Sequence, residues 1–250
     1  YDDVFFSKLK KYNLLMAAAD DQSILETVKR SKGCLNVSNI IKFPTRIDTN
    51  IFRKNDKLDC RKRFGIPQDK KVIVTTGRLH WAKGWDFLLD SYQIFLKSFP
   101  DTVFYFIGDG NSRPKIEKYI SENGLSQKVF LKGFQFHEVI ADFLSAADLY
   151  VMGSLMEGWA TSLVEAKGCC VPICTTDFSS ATEIVTEGVD GIVVKKRDPI
   201  GFAKNMREAM ELKIDTKVRH EEMRKYSVKN LREDLVEIFD RNFLHLNEIV

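Results

Sequence analysis

From residue 71 onward, short apolar runs alternate with longer segments in which apolar residues recur every three or four positions. The runs fall at 72–76, 103–107, 129–131, 149–152, 171–174 and 192–194, and the amphipathic segments at 83–98, 111–123, 137–146, 157–168, 180–187 and 199–212. Continuous apolar runs mark strands buried on both faces. Strands that alternate with helices pair in parallel, each crossover helix covering one face. The pattern predicts an α/β fold, a doubly wound parallel sheet with helices on both sides. Ligands of such sheets bind beyond the carboxyl ends of the strands, near the point where the strand order reverses.

The flanks read differently. Residues 12–19 are apolar enough for a buried strand, Asp20-Asp21 can cap a helix running to residue 30, and residues 37–43 read as a second strand. One strand-helix-strand unit cannot bury both faces of its sheet, so this part reads as the end of another domain or as packing for this one. Residues 44–53 lack periodicity and are rich in turn formers, as a linker is. Two segments of mixed charge, 216–230 and 231–247, predict closing helices. The expected organisation is residues 1–50 as the end of an N-terminal domain with its linker, 51–215 as the main sheet domain, and 216–250 as helices packing back toward the N-terminal part.

Composition narrows the function classes. With 250 residues, 44% hydrophobic and 11% aromatic, the chain can bury one full core and part of a second. A net charge of +3, from 38 Lys and Arg against 35 Asp and Glu, gives no broad field for nucleic acid. No apolar run approaches the ~18 residues of a membrane span and no signal peptide is visible, which points to the cytoplasm. Val4 to Lys11 mixes aromatics with bases; it reads as a solvated helix face or as a peripheral contact at the inner side of a membrane. The five cysteines form no Cys-x-x-Cys pair and read as reduced thiols rather than as a disulfide or metal set. The sequence starts at Tyr1 without a methionine, as a piece of a longer protein would.

The candidate chemistry centres on Glu157-Gly158-Trp159-Ala160-Thr161-Ser162-Leu163-Val164-Glu165, between the 149–152 run and a helix closing near Gly168. Unpaired N–H groups and the dipole make a helix start an anion site, and Gly158 permits close approach. If residues 157–165 are helical, eight steps of about 1.5 Å put roughly 12 Å between the two carboxylates. That exceeds the roughly 5–9.5 Å of glycoside-hydrolysing pairs. A nucleotide sugar, with a sugar at each end and a diphosphate between, spans such a gap; the bland reading is a first-turn charge and a solvated helix residue. After the first strand, Gly77-Arg78-Leu79-His80-Trp81-Ala82-Lys83-Gly84 places two bases where a diphosphate needs counter-charge, or where a surface loop solvates them. Gly108-Asp109-Gly110-Asn111, Leu131-Lys132-Gly133-Phe134 and Thr176-Asp177-Phe178-Ser179-Ser180 read as ligand borders or as mere connections. None of these loops is the G-x-G-x-x-G dinucleotide fingerprint.

Taken together, Gly77-Arg78-Leu79 with Lys83-Gly84, Gly108-Asp109-Gly110, Leu131-Lys132-Gly133-Phe134, Ala147-Asp148, Ser154 with Glu157-Gly158, Glu165-Ala166, Val171-Pro172, Thr176-Asp177 and Glu183-Ile184-Val185 resemble the group 1 glycosyltransferases, family 4. The resemblance covers about residues 38–212. It implies a GT-B fold, with a Rossmann-like donor domain here preceded by a remnant of the N-terminal, acceptor-side domain. It also implies a retaining transfer, of hexosyl type and serving polysaccharide biosynthesis, from a nucleoside-diphosphate sugar to a glycan, lipid-linked or small-molecule acceptor, with no metal and no cofactor. By the same resemblance Glu157, Arg78 and Lys83 are catalytic: the bases hold the diphosphate and stabilise the leaving nucleotide, and Glu157 touches the donor sugar. Glu165 would hold the ribose; the backbone of Gly158, Trp159, Ala160, Thr161, Ser162 and Leu163 would hold sugar and phosphate; Lys132, Gly133 and Phe134 would lie beside the base, and Gly77 would border the donor.

The departures are Ala160 for the family's Gly or Pro, Ser179-Ser180 for a Gly-Gly pair, and Thr45-Arg46 within Pro44 to Asp48. A Cβ at the first two places narrows the room for a donor sugar. No acceptor-side Gly-rich loop is visible, so these residues alone are expected to bind the donor without transferring its sugar. A non-catalytic nucleotide-sugar-binding module and a sugar-nucleotide epimerase of the same architecture are the alternatives.

Overall fold

The computed structural model describes residues 2–12 and 14–243. Its centre is a six-stranded, all-parallel sheet in the order β5-β4-β3-β6-β7-β8. The strands are β3 (Lys71–Thr76), β4 (Thr102–Ile107), β5 (Val129–Leu131), β6 (Leu149–Met152), β7 (Ile173–Thr176) and β8 (Gly191–Val194). Side chains alternate across each strand. Val103, Tyr105 and Ile107 enter one core with Tyr150 and Met152, while Phe104 and Phe106 enter the other with Leu149 and Val151. Two buried faces need two helical layers, and this is why the strands read as unbroken apolar runs.

One layer holds α3 (Lys57–Arg63), α6 (His137–Ala146) and α7 (Thr161–Gly168), whose buried residues pack in the first core. The other holds α4 (Trp85–Leu96), α5 (Arg113–Glu122) and α9 (Pro199–Met210), packed in the second. The order reverses between β3 and β6, which pair through Ile73 with Leu149 and Val74 with Tyr150. The loops after Thr76 and Met152 leave the sheet side by side at that reversal.

Several expectations need correction. The helix expected over 157–168 is α7, which begins at Thr161 after an irregular loop from Gly153 to Ala160. Glu157 therefore precedes the helix, and the helical rise between Glu157 and Glu165 does not apply. The run at 171–174 is displaced, because Pro172 has no N–H to offer the ladder and pairing starts at Ile173. The 180–187 segment contracts to the single turn α8 (Ala181–Ile184). The 83–98 helix starts at Trp85, after a 3-10 turn over Trp81–Lys83. The 216–230 segment is α10 (Thr216–Glu222) followed by two 3-10 turns. α11 (Leu231–Phe243) carries the last predicted helix, whose residues 244–247 lie outside the described ones.

At the N-terminus, α1 (Asp2–Leu9) and α2 (Asp21–Arg30) accompany a separate two-stranded parallel sheet, β1 (Leu15–Ala17) with β2 (Ile40–Lys42). The strand expected over 12–19 is neither that long nor buried: Met16 is 46% exposed, and residue 13 lies outside the described ones. Residues 37–39 of the second expected strand form a 3-10 turn, with Asn36 accepting from the Ser38 N–H. The 44–53 stretch is packed, not free. Ile47 and Phe52 enter the first core, and the Ile47 N–H donates to the Tyr226 carbonyl at 2.8 Å.

Asp148, at the start of β6, accepts from Lys57 at 2.7 Å, Arg61 at 2.8 Å and the Val72 N–H at 2.7 Å. Burial works against its charge, but these partners outweigh it and hold the carboxyl below its ordinary value. Removing one partner of a buried pair leaves the other uncompensated. Asp148→Ala is expected to cost about 3–5 kcal/mol in denaturant unfolding, since Arg61 stays buried. A loss under ~1 kcal/mol would contradict that role.

Candidate functional site

Gly84 sets the approach of the two loops at the strand reversal. It holds a left-handed φ of 61° between the 3-10 turn and α4, and a Cβ there would lie 2.0 Å from the Gly153 carbonyl oxygen. Only a residue without a side chain lets these backbones abut. Arg197 donates to the same Gly153 carbonyl at 2.6 Å while its guanidinium lies 4.2 Å from the Phe87 ring centre. The Leu155 N–H donates to the Ala82 carbonyl at 2.9 Å, and the Thr176 hydroxyl to the Ser154 carbonyl at 2.7 Å.

Across this seam Lys83 Nζ lies 2.5 Å from Glu157 Oε1, which also accepts from the Ser154 hydroxyl at 2.6 Å. The side chains are 34% and 13% exposed, so the pair opens to solvent on the lysine side. Arg78 is exposed and shares a cleft with Lys83 and Trp85. It also lines a cavity of about 680 Å3 with Gly77, Gly108, Asp109, Phe134 and Phe136. Base, acid and cavity thus form one continuous edge at the carboxyl ends of β3, β4 and β6.

Glu165 lies one turn into α7. Burial pushes its carboxyl up from the ordinary 4.5 to about 7, and among the described residues no cation is paired with it within 4.0 Å. Tyr150, fully buried in β6, has its hydroxyl 3.4 Å from the Thr76 hydroxyl. Burial raises its phenol to about 12; hydrogen bonds from Ser162 and Thr76 oppose the rise, and the Glu165 and Glu157 charges add to it.

The remaining sequence-predicted residues divide. Phe134 is 74% exposed and stands edge-to-face with Phe136, 73% exposed, at 5.9 Å, on the cavity that Gly77 and Arg78 line. Gly133 serves the turn, its carbonyl accepting the Gly108 N–H at 2.8 Å. Lys132 sits over the Tyr105 ring at 5.3 Å and does not line the cavity. Trp159 turns into a second cavity, of about 920 Å3, with Arg46 and Tyr226. Ala160 and Leu163 are buried, so they can offer a ligand only main chain. Of that main chain the Ala160 N–H already faces the Ser180 hydroxyl at 3.3 Å, Thr161 N–H the Trp159 carbonyl and Leu163 N–H the Ala160 carbonyl, both at 3.0 Å. Gly158 is open, with nothing within 4 Å of a Cβ placed there.

Sequence reasoning missed Arg197 and Phe136, and read 176–180 as a ligand border or a mere connection. The Ser179 hydroxyl in fact donates to the Glu157 carbonyl at 2.7 Å. An exposed aromatic just ahead of a helix, as Phe136 is before α6, was the available signal for the cavity; Arg197 had none. Among the described residues no group of three or more His, Cys, Asp or Glu could hold a metal ion, and no helix is long and apolar enough to cross a membrane.

Comparison with known proteins identifies the family and the fold. The chain is 28% identical over 159 residues to alpha-D-kanosaminyltransferase of Streptomyces kanamyceticus, covering 64% of this chain and 40% of that one. It is 34% identical over 143 residues to the phosphatidylinositol N-acetylglucosaminyltransferase GPI3 subunit of Saccharomyces cerevisiae, covering 57% of this chain and 31% of the relative. It therefore spans less than half the length of these curated relatives. Among solved structures, a glycosyltransferase from Rickettsia africae superposes with a TM-score of 0.79 at 14% identity, over 96% of this chain and 66% of that one. Anabaena Alr3699/HepE, in complex with UDP and glucose, superposes with a TM-score of 0.76 at 20% identity, over 91% and 63%. The family model of glycosyl transferases group 1 matches residues 56–233, well over half of the chain. By that match this chain belongs to the group 1 glycosyl transferases.

Proposed function

We propose that the chain is the donor-binding half of a retaining glycosyltransferase that takes a sugar from a nucleoside-diphosphate sugar. The observation that carries this reading is the Lys83–Glu157 pair at the strand reversal, continuous with the Arg78 cavity. A diphosphate laid along that edge meets two cations, with the base in the cavity beside Phe134 and Phe136 and the donor sugar toward Glu157. The HepE structure, with UDP and glucose bound on the same fold, supports a uridine or similar nucleotide as donor carrier. The acceptor, a glycan, a lipid-linked glycan or a small molecule, would be met mainly by parts of the protein outside this chain, which alone would not transfer. The site works in the cytoplasm, next to a membrane where the acceptor is lipid-linked.

As the glycosidic bond breaks, negative charge gathers on the leaving diphosphate. Arg78 and Lys83 lie where they stabilise it, in place of a metal ion. Lys83 is held beside this path by Glu157 until the phosphate arrives. Ser154 keeps Glu157 in place when Lys83 turns to the phosphate. Glu165 reaches the ribose hydroxyls as an ionised acceptor, and binding selects its charged form.

The hydroxyls of Ser179 and Ser180 engage the loop backbone, and Ala160 is buried.

Calorimetry with a nucleoside diphosphate and no added metal is expected to show binding that falls about tenfold or more in Arg78→Ala and in Lys83→Ala. Unchanged affinity in both would remove the assignment of the bases. In the full-length protein Glu157→Gln is expected to cut turnover by roughly a hundredfold while nucleotide affinity changes less than about threefold; equal losses would leave Glu157 a binding residue. Glu165 is mostly protonated below its value of about 7 and ionised above it. A ligand that needs the ionised form therefore binds more tightly as pH rises, by roughly tenfold between pH 6 and 8. Glu165→Gln should flatten that part of the profile. An identical profile in the variant would exclude Glu165 from binding.

A further inference from the structure

Main-chain anchors secure the loop that carries Glu157 mostly at its start. Gly153, Ser154 and Leu155 are tied to Arg197, Thr176 and Ala82. The residues around Glu157 lack such packing: Met156 is 68% exposed and Gly158 has open space on its Cβ side. There the Ser179 hydroxyl donates to the Glu157 carbonyl at 2.7 Å and also faces the Gly158 carbonyl at 3.5 Å. Its neighbours Phe178 and Ser180 are buried, which fixes the segment that presents the hydroxyl. Ser180 completes the clamp by facing the Ala160 N–H at 3.3 Å.

The N-terminal segment packs against the stretch that carries Ser179. Asp20, buried at the start of α2, accepts from the Ser23 N–H at 2.9 Å and hydroxyl at 2.6 Å. Burial opposes its charge, yet hydrogen bonds, those from Ser23 first, hold the carboxyl below its ordinary value. The neighbouring Asp21 N–H donates to Glu183 at 3.1 Å, so α2 abuts the 177–183 segment.

We propose that Ser179 is a positioning residue that holds the main chain of Glu157, keeping its carboxylate at the reaction centre once the diphosphate draws Lys83 away. The inference rests on the reading of Glu157 and Lys83 as donor-facing groups. In the free protein Lys83 and Ser179 both restrain the loop, one through the side chain and one through the backbone. With the donor bound, Lys83 serves the phosphate, and Ser179 with Ser154 carries the restraint. Small displacements of a reacting group cost large factors in rate, so loss of Ser179 falls on turnover rather than on nucleotide binding.

The test compares Ser179→Ala with Ser179→Thr, which restores a hydroxyl at an exposed position, in the full-length protein. Release of nucleoside diphosphate from nucleotide sugars is followed beside calorimetric affinity for the nucleoside diphosphate. Ser179→Ala is expected to lower kcat by roughly tenfold with affinity within about twofold, and Ser179→Thr to recover most of the loss. Amide exchange over residues 154–160, measured with nucleoside diphosphate bound, should speed up in the alanine variant and return in the threonine variant. An alanine variant with wild-type kcat, a threonine variant as impaired as alanine, or unchanged exchange in the alanine variant would overturn the proposal. If the wild-type protein releases no nucleotide from any nucleotide sugar, the glycosyltransferase reading fails instead, and the exchange result still decides the role of Ser179.

Discussion

The ion pair between Lys83 and Glu157 crosses the reversal of the sheet, and the site depends on the backbone contact beneath it. Strand order turns back between β3 and β6, so the two following loops have no helix between them. Gly84 and Gly153 let them abut, and Arg197 ties Gly153 from the far side. With one partner 34% exposed, such a pair contributes about 0–1 kcal/mol to stability. Stability does not account for it; on the reading proposed above, alignment of a cation and an acid on one ligand does.

The other charges of the molecule sharpen that contrast. Lys167 and Arg219, both buried, converge on buried Asp190 at 2.9 and 2.7 Å and tie α7 to α10. Arg61 and Lys57 do the same on Asp148. These clusters satisfy charge at the cost of desolvation and fix one packing of the helices. Glu165 departs from the rule, being sunk in α7 beside Tyr150 with its carboxyl raised by burial. A carboxylate left in that state has capacity for donors that the protein does not supply, and ribose hydroxyls are of that kind.

Much of this was legible in the sequence, for identifiable reasons. Strands buried on both faces carry mostly apolar residues, so 72–76 and 103–107 announced themselves. The bases and acids were legible because their spacing forms a joint pattern rather than a local one. The start of α7 was not: only Gly158 among residues 157 to 160 argues against a helix, and tertiary bonds with Ser179 and Ser180 accompany the irregular loop there. β7 slipped by two positions because Val171 is apolar and buried, while Pro172 has no N–H to donate and serves only as acceptor of the Tyr150 N–H at 2.8 Å. α3 was missed altogether, since Lys57 to Arg63 is mostly charged and buries Cys60 and Arg61 alone. That the hydroxyls at 179 and 180 engage the Glu157 loop was not legible, because sequence does not show which way a hydroxyl turns.

The most direct measurement is a structure of the full-length protein with a nucleoside diphosphate bound. The account predicts the diphosphate within hydrogen-bonding distance of Arg78 and Lys83, the base against Phe134 and Phe136, and the ribose on Glu165. A nucleotide seated instead in the cavity between Arg46, Trp159 and Tyr226, with Lys83 still closed on Glu157, would contradict it.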